Sequence, residues 1–218
     1  MKNLYKLSKI GMVCLSFVLF SCSTEDPISS TVTFYPDMTF NGDRITVLTE
    51  GETFTDPGII STAGGVELEV VTTGAEDVDT NTPGVYDIFY SSTNSDGFSS
   101  ELRRTIIVLS AAPSTVDLSG AFTRNGFVNN VVRVSDRVYT SDNAGGVSTT
   151  DSANIPNLIS FTFYNIDDVR IYAPYQENTT QTGIDVETNI GTIISPNNFT
   201  WVLYASGFYG TAVRNFVR

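Results

Sequence analysis

The feature that most constrains this chain is a repeated series of short strand-forming runs, with no amphipathic stretch long enough for a three-turn helix. Runs of Val, Ile, Thr, Tyr and Phe are separated by Gly, Pro, Asn and Asp, a pattern typical of strands and turns. Strands at this spacing indicate an all-β protein built from sandwiches. The candidate strands are 31–35, 44–49, 66–72, 85–91, 102–109, 120–124, 127–134, 137–141, 158–164, 168–173, 190–194, 199–205 and 208–213.

The first 22 residues have the pattern of a bacterial secretion signal. Three lysines within the first ten positions precede an apolar stretch, 10–20, that is too short to span a bilayer. The following Leu-Phe-Ser-Cys, at 19–22, resembles the acylation motif of bacterial lipoproteins. This resemblance implies that 1–21 is a signal peptide and that Cys22 is lipidated at the start of a tether, 22–30. An ordinary signal peptide with an incidental cysteine is the alternative.

An acidic pair, Glu25 and Asp26, lies just after Cys22. This arrangement resembles the export signal of Bacteroidetes-type surface lipoproteins. The resemblance implies a protein anchored in the outer membrane through its lipid and exposed at the cell surface, with the membrane as one partner. A solvated acidic linker without an export role is the alternative.

Composition excludes several classes of function. The chain has no histidine, so it can form neither a Ser-His-Asp triad nor a histidine zinc site. All three lysines lie in the signal, so beyond Cys22 nine arginines stand against 24 acidic residues, a formal net charge of −15. Such a chain is a poor nucleic-acid partner, because phosphate neutralisation dominates that affinity. We expect a non-catalytic protein with no metal site and no cofactor.

The composition changes near Pro113, directly after an apolar strand. Proline cannot continue a central strand ladder, and the segment beyond it is richer in aromatic residues and contains the single Trp. We therefore expect two domains, 31–111 and 114–218. The second is expected to be an antiparallel β-sandwich or a barrel-like domain.

Motifs within 31–111 follow one another in a recognisable order. Residues 50–58 read Glu-Gly-Glu-Thr-Phe-Thr-Asp-Pro-Gly, 79–90 contain Pro-Gly-Val-Tyr, and 104–108 read Arg-Thr-Ile-Ile-Val. The order and spacing resemble the Ig-like repeats of bacterial surface proteins. The resemblance implies an Ig-like β-sandwich that serves as a spacer or display unit without catalytic residues.

The strand after Pro83-Gly84 shows clear alternation. Val85, Asp87 and Phe89 alternate with Tyr86, Ile88 and Tyr90, so one set faces the core and the other faces outward or a neighbour. Tyr86 is placed to form an analogue of the tyrosine corner of Ig folds. The Asp96-Gly97 pair predicts a hairpin turn.

The second domain opens with Asp-Leu-Ser-Gly-Ala-Phe-Thr-Arg-Asn-Gly at 117–126. This opening resembles the carboxy-terminal domain of Sus-type outer-membrane lipoproteins of glycan-uptake systems. The resemblance implies oligo- or polysaccharide binding and outer-membrane uptake proteins as partners. Aromatic rings can stack on the apolar face of a sugar, and core packing is the alternative for each ring. The candidate rings are Trp201, Tyr204, Phe208, Tyr209, Tyr172 and Tyr175.

Two other functions compete with glycan binding. One is a structural or adhesive surface protein that binds another protein. The other is a small envelope enzyme, but adjacent carboxylates such as Asp167 and Asp168 would point to opposite faces of a strand and could not act as a pair. The acidic segment 76–79 could gather oxygens for calcium, although a solvated loop is the preferred interpretation.

A short motif in a polar loop predicts a modification. Asp151-Ser152-Ala153 resembles the acceptor for O-glycosylation of exported Bacteroidetes proteins, which makes Ser152 a candidate.

Overall fold

The computed structural model describes residues 32–205 and 212–218. Residues Tyr35–Arg218 form one compact unit, and the described residues before it, 32–34, contain no helix or strand. The strands in chain order are β1 (Asp37–Phe40), β2 (Ile45–Thr49), β3 (Ile59–Ala63), β4 (Val66–Glu67), β5 (Val71–Thr73), β6 (Gly84–Thr93), β7 (Ser99–Leu109), β8 (Gly120–Arg124), β9 (Phe127–Ser135), β10 (Val138–Ser141), β11 (Phe161–Asn165), β12 (Arg170–Tyr172), β13 (Val186–Thr188), β14 (Gly191–Ser195), β15 (Asn198–Ala205) and β16 (Val213–Val217).

The helical content of the described residues is two single 3-10 turns, Ala75–Asp77 and Ile155–Asn157. Within these same residues, no helix has the length and apolar character needed to cross a membrane. The all-β class predicted from the sequence is confirmed.

The first seven strands form an Ig-like β-sandwich, as predicted. One sheet has the order β1-β3-β4 and the other has the order β2-β7-β6-β5, in which β2 pairs with β7 in parallel. Ile88, Ile106 and Val108 of the larger sheet pack against Phe40 and Ile59 of the smaller sheet. Burial of these side chains between two sheets supplies the hydrophobic stabilisation of this half of the protein.

The alternation along β6 is confirmed. Tyr86, Ile88 and Tyr90 belong to the sandwich core, while the other set lies on the opposite face of the sheet. The Tyr86 hydroxyl donates a hydrogen bond to the carbonyl of Thr82 at 2.8 Å, which is the predicted tyrosine corner.

The Asp-Pro-Gly of the Ig-like signature forms part of a partly buried polar cluster. The Asp56 carboxylate accepts hydrogen bonds from the Gly58 amide at 3.1 Å and from the Tyr90 hydroxyl at 2.6 Å. Burial and this hydrogen bond to Asp56 raise the pKa of Tyr90 to about 12. Gly58 adopts a φ of 70°, which glycine tolerates without steric cost.

Arg104 lies at the centre of this cluster with 1% of its side chain exposed. It pairs with Asp56 at 3.3 Å and donates to the Tyr90 hydroxyl at 3.0 Å. It also donates to the carbonyls of Asn41 and Gly58 at 2.9 and 3.0 Å. The signature residues therefore hold the ends of several strands together.

The remaining strands form an antiparallel barrel. Eight of them pair in the order β8-β9-β10-β11-β12-β14-β15-β16, and the ring closes where Val217 of β16 pairs with Thr123 of β8. The short β13 pairs with the far end of β15. The choice left open by the sequence is thus settled in favour of a barrel, and closure removes the unpaired edges that an open sheet would expose.

Aromatic side chains fill the barrel. Phe163, Phe199, Trp201 and Phe216 are all buried, and the rings of Phe163, Phe199 and Phe216 lie 4.9–5.4 Å from that of Trp201. Gly191 permits close approach of β14 to β15, because a Cβ there would lie 2.3 Å from the Thr200 carbonyl oxygen.

Some observed strands differ from the predicted ones. The first strand begins at Asp37, after Pro36, and 32–35 are not a strand. The strands Ile59–Ala63 and Val186–Thr188 were not predicted, because their polar and small residues give a weak local signal. Asp167 and Asp168 lie in the turn before β12 and not on a strand.

Asp168 fastens the segment that joins the two halves. Its carboxylate accepts hydrogen bonds from the Ser114 hydroxyl at 2.7 Å, the Thr115 amide at 2.8 Å and the Asn165 side chain at 2.9 Å. It also pairs with buried Arg137 at 2.9 Å. Burial alone would raise the pKa of Asp168, but the hydrogen bonds from Ser114, Thr115 and Asn165 lower it far below its ordinary value.

This carboxylate should make stability depend on pH in the acid range. The pKa of Asp168 is lower in the folded state than in the unfolded state. The carboxylate therefore stabilises the fold above its ordinary pKa of 3.8, and this stabilisation is lost as the pH falls towards the folded pKa. Asp168→Asn should be less stable than wild type at neutral pH. Below about pH 4, the slope of its unfolding free energy against pH should be smaller than that of wild type, by the equivalent of up to about one bound proton. Urea unfolding at a series of pH values measures this, and equal slopes for the two proteins would contradict it.

Candidate ligand-binding groove

The larger sheet of the sandwich turns its second face towards the barrel. On this face Ile107 and Leu109 of β7 are buried against Ile166 and Tyr172 of the barrel. This apolar contact fixes the two halves against each other at one end of the face.

Tyr172 was a candidate ligand-binding ring, and the structure places it in this contact. Only 5% of the residue is exposed, so its ring is not available to a ligand. Burial, followed by the charges of Glu187 and Asp87, raises its pKa to about 12. Its prediction as a glycan-stacking residue is therefore corrected: the ring packs against the Ig-like half.

Further along the same face the contact becomes polar. Arg103 of β7 forms an ion pair with Glu187 of β13, and its guanidinium lies 3.9 Å from Asp87. Burial would lower the pKa of Arg103, but the hydrogen bond and charge of Glu187 raise it. The Asp87 carboxylate also accepts a hydrogen bond from the Thr105 hydroxyl at 2.6 Å. These polar pairs form the last part of the contact between the two halves, next to an open groove.

Beyond the ion pair the two halves diverge into an open groove of about 390 Å³. Its volume falls within the range of ligand pockets. The lining residues are Arg44, Phe89, Glu101, Leu102, Arg103, Tyr175 and Glu187. Phe89 projects from β6 with 49% of the residue exposed, and Glu101 is exposed on the neighbouring strand. The groove therefore offers an accessible ring beside charged side chains.

Tyr175 is the predicted aromatic residue that the structure places in this groove. Its hydroxyl donates a hydrogen bond to the Asp185 carboxylate at 2.7 Å, which raises the pKa of Tyr175 and lowers that of Asp185. The Arg44 guanidinium lies over the Tyr175 ring, 3.9 Å from its centroid, a cation–π geometry. Tyr175 and Arg44 are thus held in fixed positions.

The remaining aromatic candidates have different positions. Trp201 has 2% exposure and donates its indole N–H to the Ala144 carbonyl at 3.1 Å, so its prediction as a stacking residue is corrected: it belongs to the barrel core. Tyr204 has 44% exposure and lies opposite Glu187 in the β13–β15 ladder, beside a residue that lines the groove. Phe208 and Tyr209 lie outside the described residues, as does Cys22.

The other predicted features lie outside the groove. Ser152 is exposed in a turn, and its glycosylation stays a prediction. In the acidic segment, the Asp79 carboxylate accepts hydrogen bonds from the Asn81 amide and the Thr82 hydroxyl at 2.9 and 2.7 Å. No group of three or more cysteine or acidic side chains suited to a metal ion occurs in 32–205 and 212–218.

Several groove residues were not identified from the sequence. Phe89, Arg44 and Glu101 each lie on or beside a strand of the Ig-like half, where the sequence indicated only a spacer. The alternation along β6 did show that Phe89 and Tyr90 lie on opposite faces of the sheet. It could not show that a barrel would pack beside it and enclose a groove.

Fold and groove together define an Ig-like sandwich joined to an eight-stranded barrel, with an open polar–aromatic groove between them. Residues 38–108 match the profile of the Ig-like domain of bacterial surface proteins, so the chain contains a domain of that family. The matched residues extend from β1 into the end of β7 and exclude the barrel.

Solved structures give weaker similarities. A lipoprotein from Bacteroides thetaiotaomicron is 20% identical, with a TM-score of 0.35 over 84% of this chain and 98% of that one. A Clostridium perfringens ZmpB structure with the M60 catalytic domain and two CBM51 domains is 14% identical, with a TM-score of 0.31 over 86% of this chain. A second ZmpB structure, of CBM51-2 in complex with GlcNAc and INT domains, is 14% identical, with a TM-score of 0.30 over 84% of this chain.

This chain spans 21% and 43% of the two ZmpB chains. TM-scores this low do not establish a common fold, so nothing about the ligand follows from these structures. Curated proteins give no match.

Proposed function

We propose that this protein is a non-catalytic surface lipoprotein that binds an oligo- or polysaccharide in the groove, as an accessory to polysaccharide uptake. The observation that carries the proposal is the exposed Phe89 ring beside Tyr175 and Arg44 in one open groove. Aromatic faces stack on the apolar face of a sugar, while charged groups orient its hydroxyls.

The carboxylates of the groove support a binding role. Glu187 is engaged by Arg103, which leaves Glu101 as the one groove carboxylate without an ion pair among the described residues. Glycoside hydrolysis requires two carboxyl groups that act together across the bond. The groove therefore suits binding better than hydrolysis.

The anchor and the location belong to the same proposal. The lipoprotein motif at Cys22 and the Ig-like domain shared with bacterial surface proteins support display on the outer membrane. Cys22→Ala should abolish partition into the membrane fraction, and a variant that stays with the membranes would contradict lipid anchoring.

Loss of the exposed ring should weaken glycan binding. A stacking contact of ~1.4 kcal/mol corresponds to about tenfold in affinity, so Phe89→Ala should weaken retention on an immobilised polysaccharide by about that factor. Affinity electrophoresis through gels containing xylan, galactomannan or cellulose derivatives measures the retention. Phe127→Ala is the matched control, because Phe127 is a partly exposed phenylalanine outside the groove. Equal loss in both variants would contradict binding at the groove.

One feature favours the alternative of an adhesive protein. On the outside of the barrel, Val217, Thr123 and Val128 lie in one cross-strand row, and Val132 and Val134 continue the exposed side of β9. Exposed apolar surface of this kind marks protein contacts. Under the main proposal, Val132→Lys should leave glycan retention unchanged. The alternative would be favoured if wild type bound no glycan and Val132→Lys lost adhesion to a protein partner.

A further inference from the structure

Eight of the nine arginines, all of which lie in the described residues, direct their guanidinium groups at partners within the protein. Five form ion pairs with carboxylates, and three donate to carbonyl or amide oxygens. The ion-paired arginines are Arg103, Arg104, Arg133, Arg137 and Arg170, and the others are Arg124, Arg214 and Arg218. Arg44 differs, because its guanidinium forms no hydrogen bond or ion pair with any other described residue and contacts the Tyr175 ring.

The Arg44 side chain has a defined support within the protein. Its guanidinium lies on Tyr175, the Tyr175 hydroxyl is bonded to Asp185, and Asp185 accepts a hydrogen bond from the Asn178 amide at 3.0 Å. Stacking on a ring uses the face of the guanidinium and leaves the N–H donors at its edge unused. The groove therefore presents guanidinium donors that no described residue uses, on a side chain that already rests on the Tyr175 ring.

An acceptor without a partner lies in the same groove. The Glu101 carboxylate forms no ion pair or side-chain hydrogen bond within the described residues. Arg103 and Glu187 neutralise each other between the two halves. The groove thus combines unused donors on Arg44, an unused acceptor on Glu101 and the exposed Phe89 ring.

The charge of the surroundings disfavours an anionic ligand. The positive charges of Arg44 and Arg103 are balanced by Glu101 and Glu187 in the groove. Asp185, which is hydrogen-bonded to Tyr175, adds a further negative charge. Beyond the signal, nine arginines and 24 acidic residues give the protein a strongly negative field, which repels anions over about 10 Å at moderate salt.

We infer that the groove selects an uncharged saccharide, with Arg44 donating to its hydroxyls, Glu101 accepting from them and Phe89 covering its apolar face. The inference rests on the proposed glycan binding and adds the ligand class and the two specificity-determining residues. Acidic saccharides, which carry uronate groups, are disfavoured by the unpaired Glu101 carboxylate and by the negative charge of the whole protein.

Titration calorimetry with oligosaccharides of equal length tests the selection. Cellohexaose, xylohexaose and mannohexaose are compared with hexagalacturonate at low and high NaCl. We expect at least one neutral hexaose to bind about tenfold or more tightly than hexagalacturonate at low salt, with an affinity that NaCl changes little. Any residual binding of hexagalacturonate should strengthen with NaCl, because salt screens like-charge repulsion.

Two variants assign the roles of the side chains. Arg44→Lys keeps the charge but loses the planar donors, and we expect it to weaken neutral-hexaose binding about tenfold. Glu101→Gln should weaken neutral-hexaose binding and improve that of hexagalacturonate. Thermal unfolding of each variant confirms that the fold is retained. Tighter binding of hexagalacturonate than of every neutral hexaose would overturn this inference alone, whereas binding of none of the hexaoses would overturn the proposed function as well.

Discussion

Arg104→Met should lower the free energy of unfolding by about 3–5 kcal/mol, the cost of breaking a buried ion pair by removing one partner. The variant leaves Asp56 without its cation, it leaves the Asn41 carbonyl without a donor, and it removes one of the two donors to the Gly58 carbonyl. Methionine fills much of the space, so the loss reports chiefly the unsatisfied polar groups and not a cavity. Urea unfolding of the chain without residues 1–22, followed by circular dichroism, measures the effect.

Arg133 offers a matched control for this prediction. It is paired with Asp136 at the surface, where its side chain has 37% exposure, and exposed pairs contribute ~1 kcal/mol or less. Arg133→Met should therefore leave the unfolding free energy nearly unchanged. If Arg104→Met were as mild as this control, the cluster around the Asp-Pro-Gly sequence would not hold the strand ends together as described.

Trp201→Ala should destabilise the protein by about 3–5 kcal/mol, the range for truncation of a buried large aromatic side chain. Its ring packs among Phe163, Phe199 and Phe216 inside the barrel, and its indole N–H satisfies the Ala144 carbonyl. The substitution removes the ring contacts, leaves a cavity and leaves that buried carbonyl without its donor. Urea unfolding again provides the measurement.

Tyr204→Ala is the control on the same strand, because Tyr204 has 44% exposure and exposed substitutions change stability by about 0.5 kcal/mol or less. Comparison of Trp201→Ala with Tyr204→Ala distinguishes a core aromatic residue from an exposed one. A destabilisation of Trp201→Ala no larger than that of Tyr204→Ala would mean that Trp201 is not a core residue.

The Ig-like half was largely predictable, because its signals are local. The alternation along 85–90 divided the side chains between two faces of the sheet, and the Tyr86 corner depends on a hydrogen bond to Thr82 only four residues away. The Asp-Pro-Gly motif could be recognised in the sequence, but its role in joining the strand ends could not be predicted. Asp56 meets Arg104 and Tyr90 only after strands distant in the chain have paired.

The candidate site was only partly predictable. Tyr175 was a candidate from the sequence because it is an aromatic residue beside Pro174. Phe89, Arg44 and Glu101 were not, because a groove between two halves depends on how those halves pack. Tyr172 is buried in the contact between the halves, whereas Tyr175, three residues further along the chain, lines the groove.

By itself, the sequence determined an all-β chain with an Ig-like half and a strongly acidic balance, because alternation, turns and charge are properties of neighbouring residues. Trp201 and Tyr204 show what the tertiary structure decided. Side chains an odd number of positions apart in a strand point to opposite faces, so these two rings cannot both face the same side of the strand. Closure of the barrel put Trp201 inside and Tyr204 outside, since only the closed ring of strands distinguishes an inner face from an outer one.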